Sequence, residues 1–169
     1  SKHMEANESE TVKNLRACEL ILQKVIKKHD GRLFNSGGDS FFIEFPSAVE
    51  AVECAVAFQK DIKKRNSSDK ITVPLEFRIG ISMGDVIKEK ENLLGDGVNI
   101  AARLEALAQT NGITISKNIY DLVKAKTSHQ YNDLGIQKVK KNEFHAYDIL
   151  LDPSQKRKLK TQKSNKPIL

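Results

Sequence analysis

Residues 95–105 read Gly-Asp-Gly-Val-Asn-Ile-Ala-Ala-Arg-Leu-Glu (GDGVNIAARLE), and they are the most informative part of the chain. The glycine-flanked start followed by good helix formers predicts a helix from residue 95 to about residue 108. Asn99 and Arg103 are four residues apart, so their side chains project from the same face of that helix. The two alanines between them allow the helix to pack closely on a sheet. Spacing alone equally fits an arginine paired with Glu105, or with a neighbouring acid, on a solvated face.

A second informative stretch, residues 31–45, reads GRLFNSGGDSFFIEF. Two short apolar segments, 32–35 and 41–45, flank a glycine-rich turn, which predicts a β-hairpin with Asp39 at its tip. An aspartate at such a turn usually stabilises the turn through its own backbone. At the edge of a sheet, its carboxylate can also meet a divalent cation and a phosphate.

The rest of the chain alternates helical patterns with short apolar segments. The predicted elements are helices at 9–29, 47–65, 95–108 and 116–123, and strands at 32–35, 41–45, 75–83, 113–115 and within 131–149. The helix at 47–65 opens with a capping box, Ser-Ala-Val-Glu. This order predicts an α+β fold in which helices cover one face of an antiparallel sheet.

The composition is typical of one folded domain. The 169 residues are 39% hydrophobic and 30% charged, which allows a core and excludes a largely disordered chain. No apolar run approaches the roughly 20 residues that a bilayer requires, and no signal-peptide pattern opens the chain. Cys18 and Cys54 fall in separate predicted helices, which indicates core residues in a reducing compartment, and hence a cytoplasmic location.

The formal charge of +6 is concentrated at one end of the chain. Residues 152–169 carry +5 and the other 151 residues carry +1, so the body is close to neutral. Such a tail is more typical of a linker or a membrane-proximal stretch than of a nucleic-acid reader, which needs a basic face interleaved with aromatics. The sequence therefore predicts a domain over 1–150, a basic tail or linker over 151–169, and no nucleic-acid partner.

Five stretches, taken in order, are similar to the catalytic domain of class III nucleotidyl cyclases, the adenylate and guanylate cyclases that form a 3′,5′-cyclic nucleotide. The resemblance covers residues 1–150, and residues 95–105 are its most specific part. It implies a ferredoxin-like or palm β-α-β-β-α-β sandwich, and a homodimer with its active sites between the two subunits. The five stretches are GRLFNSGGDSFFIEF, FRIGISMGDVI, GDGVNIAARLEALA, GITISKNIYDLV and DLGIQKVKKNEFHAYDI.

The resemblance implies roles for four residues. In the family two aspartates hold two metal ions, Mg²⁺ or Mn²⁺, and Asp39 matches the second aspartate. Asn99 and Arg103 match the residues that orient the ribose and stabilise the charge developing at the α-phosphate. Lys140 matches the lysine that binds the terminal phosphates. The implied reaction converts ATP, or GTP, to the cyclic nucleotide and pyrophosphate in cyclic-nucleotide signalling.

Two departures from the family pattern bear on activity. The first metal aspartate belongs to an opening strand that the sequence does not contain, since Ser1 matches a residue just after that strand. We therefore expect the natural protein to continue upstream, and the chain alone to be nearly inactive, because one carboxylate is a poor anchor for two divalent ions. Asn35 and Asn92 stand at the base-reading positions, and an amide can face either purine. ATP is favoured only by its frequency as a substrate among single-chain cyclases.

Three alternatives stay open on the sequence. A catalytically silent cyclase-homology module for nucleotide binding or dimerisation fits the two asparagines and the absent aspartate. A diguanylate cyclase is indicated by residues 37–41 (GGDSF), which resemble the GGDEF signature. Ser40 stands where that signature has glutamate, however, and the helix at 95–105 does not belong to that family. A nucleic-acid binder using the basic tail is the weakest alternative. The tail itself is expected to lead to a membrane or repeat segment, or to pack on this domain or a neighbour.

Overall fold

The structure, a computed structural model, describes residues 2–34, 40–71, 73–84, 87–89 and 92–160. It divides into two compact units, Ser1–Phe77 with Ile87–Leu93 and Arg78–Val86 with Leu94–Leu169. No helix in these described ranges combines the length and apolar character needed to cross a bilayer. The elements are α1 (Lys2–Lys28), β1 (Arg32–Phe34), β2 (Phe42–Glu44), α2 (Ala48–Asn66), β3 (Ile79–Ile81), β4 (Ile87–Glu89), β5 (Asn92–Leu94), α3 (Asp96–Leu107), β6 (Ile113–Ser116), α4 (Lys117–Val123), β7 (Gln130–Val139), β8 (Asn142–Leu150) and a short 3₁₀ helix (Pro153–Gln155).

The first unit contains the predicted hairpin and the first two predicted helices. β1 and β2 pair antiparallel, with Phe34 opposite Phe42. Residues 35–39, which include Asn35 and Asp39, lie outside the described residues. α1 begins at Lys2, earlier than predicted, because the added residues are mostly good helix formers. The hairpin prediction is therefore confirmed for its two strands.

The core of the first unit lies where α1 and α2 pack together. Cys18 and Cys54 are 1% and 2% exposed, which confirms the prediction that they fill the core. Ser47 caps α2 by accepting a hydrogen bond from the Glu50 N–H (3.1 Å), as its capping box predicts. The Glu50 carboxylate meets His29 Nδ1 at 3.0 Å. The buried apolar residues of the two helices are Cys18, Leu22, Val25, Ile26, Ala48, Ala51, Val52, Cys54, Ala55, Val56, Phe58 and Ile62.

The strand predicted over 75–83 is regular only at Ile79–Ile81. The residues before it bond to side chains of α2. Asn66 Nδ2 donates to the Leu75 carbonyl (2.7 Å), and Gln59 Nε2 donates to the Phe77 carbonyl (3.0 Å). In a strand, these carbonyls would accept hydrogen bonds from a neighbouring strand. Here they accept them from side chains of α2 instead.

The second unit is built on a four-stranded sheet with the order β3-β6-β8-β7. β8 pairs antiparallel with both β6 and β7, as predicted. β3 and β6 are instead parallel, with Ile79 opposite Ile113. The connection between them explains this difference, because it contains α3 and parallel neighbours need such a crossover. β4 and β5 form a separate two-stranded sheet, and all of its residues except Leu94 belong to the first unit. The α+β fold class is confirmed, with one parallel pair in its main sheet.

Candidate functional site

α3 lies directly against the backbone of β3. A Cβ atom added to Gly80 would stand 2.3 Å from both the Ala101 carbonyl oxygen and the Glu105 nitrogen. No side chain fits in that space, so helix and strand touch backbone to backbone. The close packing predicted from the small residues of α3 is confirmed here.

The first turn of α3 also lies close to the residues that follow β3, at Ser82 and Gly84. Ser82 Oγ donates a hydrogen bond to the Gly97 carbonyl (2.5 Å). A Cβ on Gly84 would lie 3.0 Å from the Gly97 Cα. Gly95 precedes the helix with a φ of 118°, a conformation that favours glycine, and its carbonyl accepts the Asn99 N–H (3.2 Å). These contacts fix the start of α3 just before Asn99.

A hydrophobic cluster joins α3 to the β7–β8 hairpin. Leu104 of α3, Leu134 of β7 and Ala146 of β8 are its fully buried members. Its partly buried members are Ile100, Leu107, Phe144 and Leu159. The apolar residues of α3 recur at three- and four-residue spacing, so one face of the helix is committed to this cluster.

Asn99 and Arg103 lie together on α3, as their spacing predicts. Arg103 Nη1 donates to the Asn99 carbonyl oxygen at 3.2 Å. Asn99 is exposed and Arg103 is half-buried. The Nε atom of Arg103 is buried and has no hydrogen-bond partner in the described part of the chain. No ion pair joins Arg103 to Glu105, so the alternative in which these two residues pair is wrong for this structure, and the buried Nε is left unsatisfied by the described residues.

Lys140 occupies the turn of the β7–β8 hairpin. It and Lys141 separate Val139 from Asn142, which are paired across the two strands. The Lys140 side chain is exposed, and its φ of 55° lies in the left-handed region. Lys140 thus stands on the hairpin that packs against α3, but it forms no hydrogen bond with Asn99 or Arg103.

Three predicted site residues are not placed by the structure in a way that tests them. Asn35 and Asp39 lie outside the described residues, and Asn92 is known only as the first residue of β5. Elsewhere in the described ranges, no three His, Cys, Asp or Glu side chains are grouped as a metal site.

Sequence reasoning missed the buried ion pair of Asp148 and Arg157. Asp148 is 3% exposed, and Arg157 Nε donates to its Oδ2 at 2.6 Å. The available signal was an aspartate inside the apolar strand segment Ala-Tyr-Asp-Ile-Leu, because a buried carboxylate needs a partner. Arg157 itself gave no signal, since the sequence places it in a run of exposed-type cations.

The chain is similar to known proteins over most of its length. A family model described as "Adenylate and Guanylate cyclase catalytic domain" matches residues 2–151. A protein of Rhizobium meliloti (strain 1021) named "Putative adenylate cyclase 3" is 39% identical over 141 residues, which are 83% of this chain and 24% of that protein. The chain therefore spans about a quarter of that relative's length.

Two solved structures share the fold. The crystal structure of an adenylate/guanylate cyclase/hydrolase from Silicibacter pomeroyi has a TM-score of 0.76 and 30% identity, and covers 90% of each chain. The crystal structure of the adenylyl cyclase CyaB from P. aeruginosa has a TM-score of 0.70 and 25% identity, and covers 85% of this chain and 84% of that one.

Proposed function

The chain belongs to the adenylate and guanylate cyclase catalytic domain family, and on that premise we propose that it converts ATP or GTP to the 3′,5′-cyclic nucleotide and pyrophosphate. The observation that carries this proposal is the state of Arg103. Its guanidinium is half-buried, bonds to its own helix at the Asn99 carbonyl, and keeps a buried Nε–H without a partner among the described residues. An arginine in that state suits a ligand that brings negative charge.

The proposed reaction is an intramolecular attack of the ribose 3′-oxygen on the α-phosphorus. The 3′-hydroxyl gives up its proton to water, its oxygen bonds to the α-phosphorus, and the bond between the α-phosphorus and the oxygen bridging to the β-phosphate breaks to release pyrophosphate. Negative charge gathers on the oxygens around the α-phosphorus, and Arg103 donates N–H groups to it. Since α3 packs on β3 at Gly80, the backbone that carries Arg103 is fixed before the reaction begins. Asn99 orients the ribose through its exposed amide.

Lys140 and two asparagines complete the proposed substrate site. Lys140 supplies a cation for the terminal phosphates from the end of the β7–β8 hairpin, and that hairpin shares a hydrophobic cluster with α3. Asn35 and Asn92 read the base. An amide donates and accepts, so it suits adenine and guanine alike, and both nucleotides are kept as substrates.

Two parts of the proposal, the metal ions and a second subunit, rest on the properties of the family. Two divalent ions, Mg²⁺ or Mn²⁺, supply activation of the 3′-hydroxyl and neutralise the triphosphate in this family. We assign Asp39 as a ligand on the resemblance alone. The family also builds its sites between two subunits, so the proposed working unit is a homodimer.

The test measures cyclic nucleotide production by the full-length protein with Mn²⁺, with ATP and GTP offered separately. Arg103→Ala is expected to lower kcat about a hundredfold or more, the usual effect of removing a donor to developing oxyanion charge. Arg78→Ala is the matched control, because Arg78 is an exposed arginine in the same compact unit, and its kcat should stay unchanged. Asp39→Ala is expected to abolish the product.

The outcome separates the enzyme from its main alternative. Product from one nucleotide identifies the base that Asn35 and Asn92 accept. If neither nucleotide gives product while the protein is folded, the chain is a silent cyclase-homology module. Calorimetric titration with ATP and GTP then distinguishes a nucleotide-binding module from one that only dimerises.

A further inference from the structure

Residues 151–160 continue beyond β8 and lie along the second unit as a C-terminal strap. Two side-chain amides of β7 hold the backbone of this strap. Asn132 Nδ2 donates to the Arg157 carbonyl (2.7 Å), and Gln137 Nε2 donates to the Lys160 carbonyl (3.2 Å). Through Lys160, therefore, this part of the basic tail packs on its own domain.

Arg157 connects the strap to β8 and to α3 at the same time. Its Nε donates to Asp148 Oδ2 at 2.6 Å, and its Nη2 donates to Asp148 Oδ1 at 3.1 Å. The same Nη2 donates to the carbonyl of Leu107, the last residue of α3, at 2.9 Å. Asp148 also accepts a hydrogen bond from Thr114 Oγ1 of β6 at 2.7 Å. One guanidinium thus joins the sheet to the end of the helix.

The end of α3 needs a cation that its own sequence does not provide. Its last turn contains no basic residue and includes Glu105, although the negative end of a helix dipole favours positive charge. The last carbonyls of a helix also lack partners within the helix. Arg157 meets both needs at Leu107, from a segment 50 residues further along the chain.

Leu159 attaches the strap to the hydrophobic cluster that α3 shares with β7 and β8. It packs against the cluster that contains Leu104, the residue directly after Arg103, and Ile100, the residue directly after Asn99, belongs to the same cluster. The strap therefore contacts α3 at its C-terminal carbonyl, and it packs on the cluster that includes the apolar residues of α3 next to both proposed catalytic side chains.

We propose that Arg157 and Leu159 are positioning residues, which act on Asn99 and Arg103 by fixing the end and the apolar face of α3. The catalytic consequence rests on the proposed function, whereas the hold on the helix does not. Because a displacement of about 1 Å at a reacting group can cost about a hundredfold in rate, loosening α3 should slow the chemical step.

The test compares Arg157→Gln with Lys158→Gln in the full-length protein. The control removes the same charge one residue away, from an exposed side chain. Hydrogen exchange at the amides of α3 is the first readout, and the amides of α4, in the same unit, report general destabilisation. We expect exchange in the last turns of α3 to rise about tenfold or more in Arg157→Gln, with α4 unchanged. We also expect kcat to fall about tenfold while KM stays within about twofold.

Two further variants keep the test decisive if Arg157→Gln folds poorly. The double variant Asp148→Asn/Arg157→Gln removes the buried charge together with its partner, and α3 should still exchange faster because Leu107 has lost its donor. Leu159→Ala removes the contact between the strap and the hydrophobic cluster while leaving the ion pair in place, and it should raise hydrogen exchange along α3.

The outcomes separate this inference from the proposed function. Equal exchange in α3 for Arg157→Gln and Lys158→Gln would overturn the positioning role, as would a rise that is equal in α3 and α4. Faster exchange confined to α3, in a protein that makes no cyclic nucleotide, would support the strap and reject the cyclase.

Discussion

Lys140 is a lysine in a backbone conformation that glycine adopts more easily. With a φ of 55°, its Cβ is crowded by the following carbonyl, which costs about 1 kcal/mol. Lys140→Gly should therefore raise the free energy of unfolding by roughly 0.5 to 1 kcal/mol, measured by urea denaturation. The same change removes the proposed phosphate cation, so KM for the nucleotide should rise about tenfold.

Lys141→Gly is the matched control for this prediction. Lys141 is the other exposed residue of the same turn, and its φ is not positive, so glycine there should bring no gain in stability. KM should also stay unchanged. An unaltered KM in Lys140→Gly would show that Lys140 does not bind the substrate. The change in the free energy of unfolding would show separately whether the turn is strained.

Asn99 and Arg103 show what residue spacing can predict. Their common face follows from the helical repeat alone, and the structure confirms it with the bond from Arg103 Nη1 to the Asn99 carbonyl. Whether Arg103 forms an ion pair depends on which side chains surround it in the folded protein. That information is tertiary, so the sequence left both alternatives open.

At the scale of elements, the packing of α1 on α2 predicts that both thiols are unreactive in the folded protein. Burial, with a further contribution from Glu50, raises the pKa of the Cys54 thiol to about 11. Burial also raises the pKa of Cys18, against an opposing effect of Arg65. At about pH 8 the thiolate of Cys54 is thus on the order of one part in a thousand. We expect no reaction with Ellman's reagent in buffer and two reactive thiols in urea.

The single variants Cys18→Ala and Cys54→Ala assign each thiol in that experiment. The raised pKa of Cys54 also has a consequence for stability, since the unfolded chain would lose this proton near its ordinary pKa of 9.0 and the folded chain only near 11. Stability from this group is complete below about pH 9 and is lost as the pH rises towards 11. A thiol that reacts in buffer would show that α1 and α2 separate locally.

The elements themselves were largely predictable, because helical spacing and turn residues are local signals. The strand at 75–83 was predicted too long, since Asn66 and Gln59 of α2 bond to the carbonyls of Leu75 and Phe77. The parallel pairing of β3 with β6 was also missed. Strand direction depends on how α3 crosses the sheet, which the alternation of apolar residues does not encode.

The close packing of α3 on β3 was predictable only in part. The small residues of the helix indicated close packing, and a glycine inside a strand pattern, as at Gly80, is a recognised sign of close backbone approach. The strap was not predictable. Asp148 required a partner, but choosing Arg157 from the six cations in 152–169 depends on a path that is set by Asn132, Gln137 and the hydrophobic cluster.

At the scale of the whole molecule, the proposed homodimer can be tested by mixing inactive variants. If the metal carboxylates come from one subunit and the helix residues from the other, an Asp39→Ala subunit paired with an Arg103→Ala subunit contains one intact site and one with both defects. Each variant alone should keep at most about a hundredth of the parent activity. Random reassortment, by unfolding and refolding the two together, should restore about a quarter of the parent activity, since half of the dimers are mixed and each has one working site.

The control for that mixture is a pair of defects from the same side of the site. Asn99→Ala and Arg103→Ala both alter α3, so every site in their mixed dimer keeps one defect, and refolding them together should restore nothing. Recovery in the first mixture and not in the second requires a site shared between subunits. If neither mixture recovers while a mixture of parent and variant stays active, each site is complete within one chain. In that case Lys140 and Arg103 of one chain would have to bind the same nucleotide without a second subunit. The hydrophobic cluster that joins α3 to the β7–β8 hairpin would hold these two residues in place.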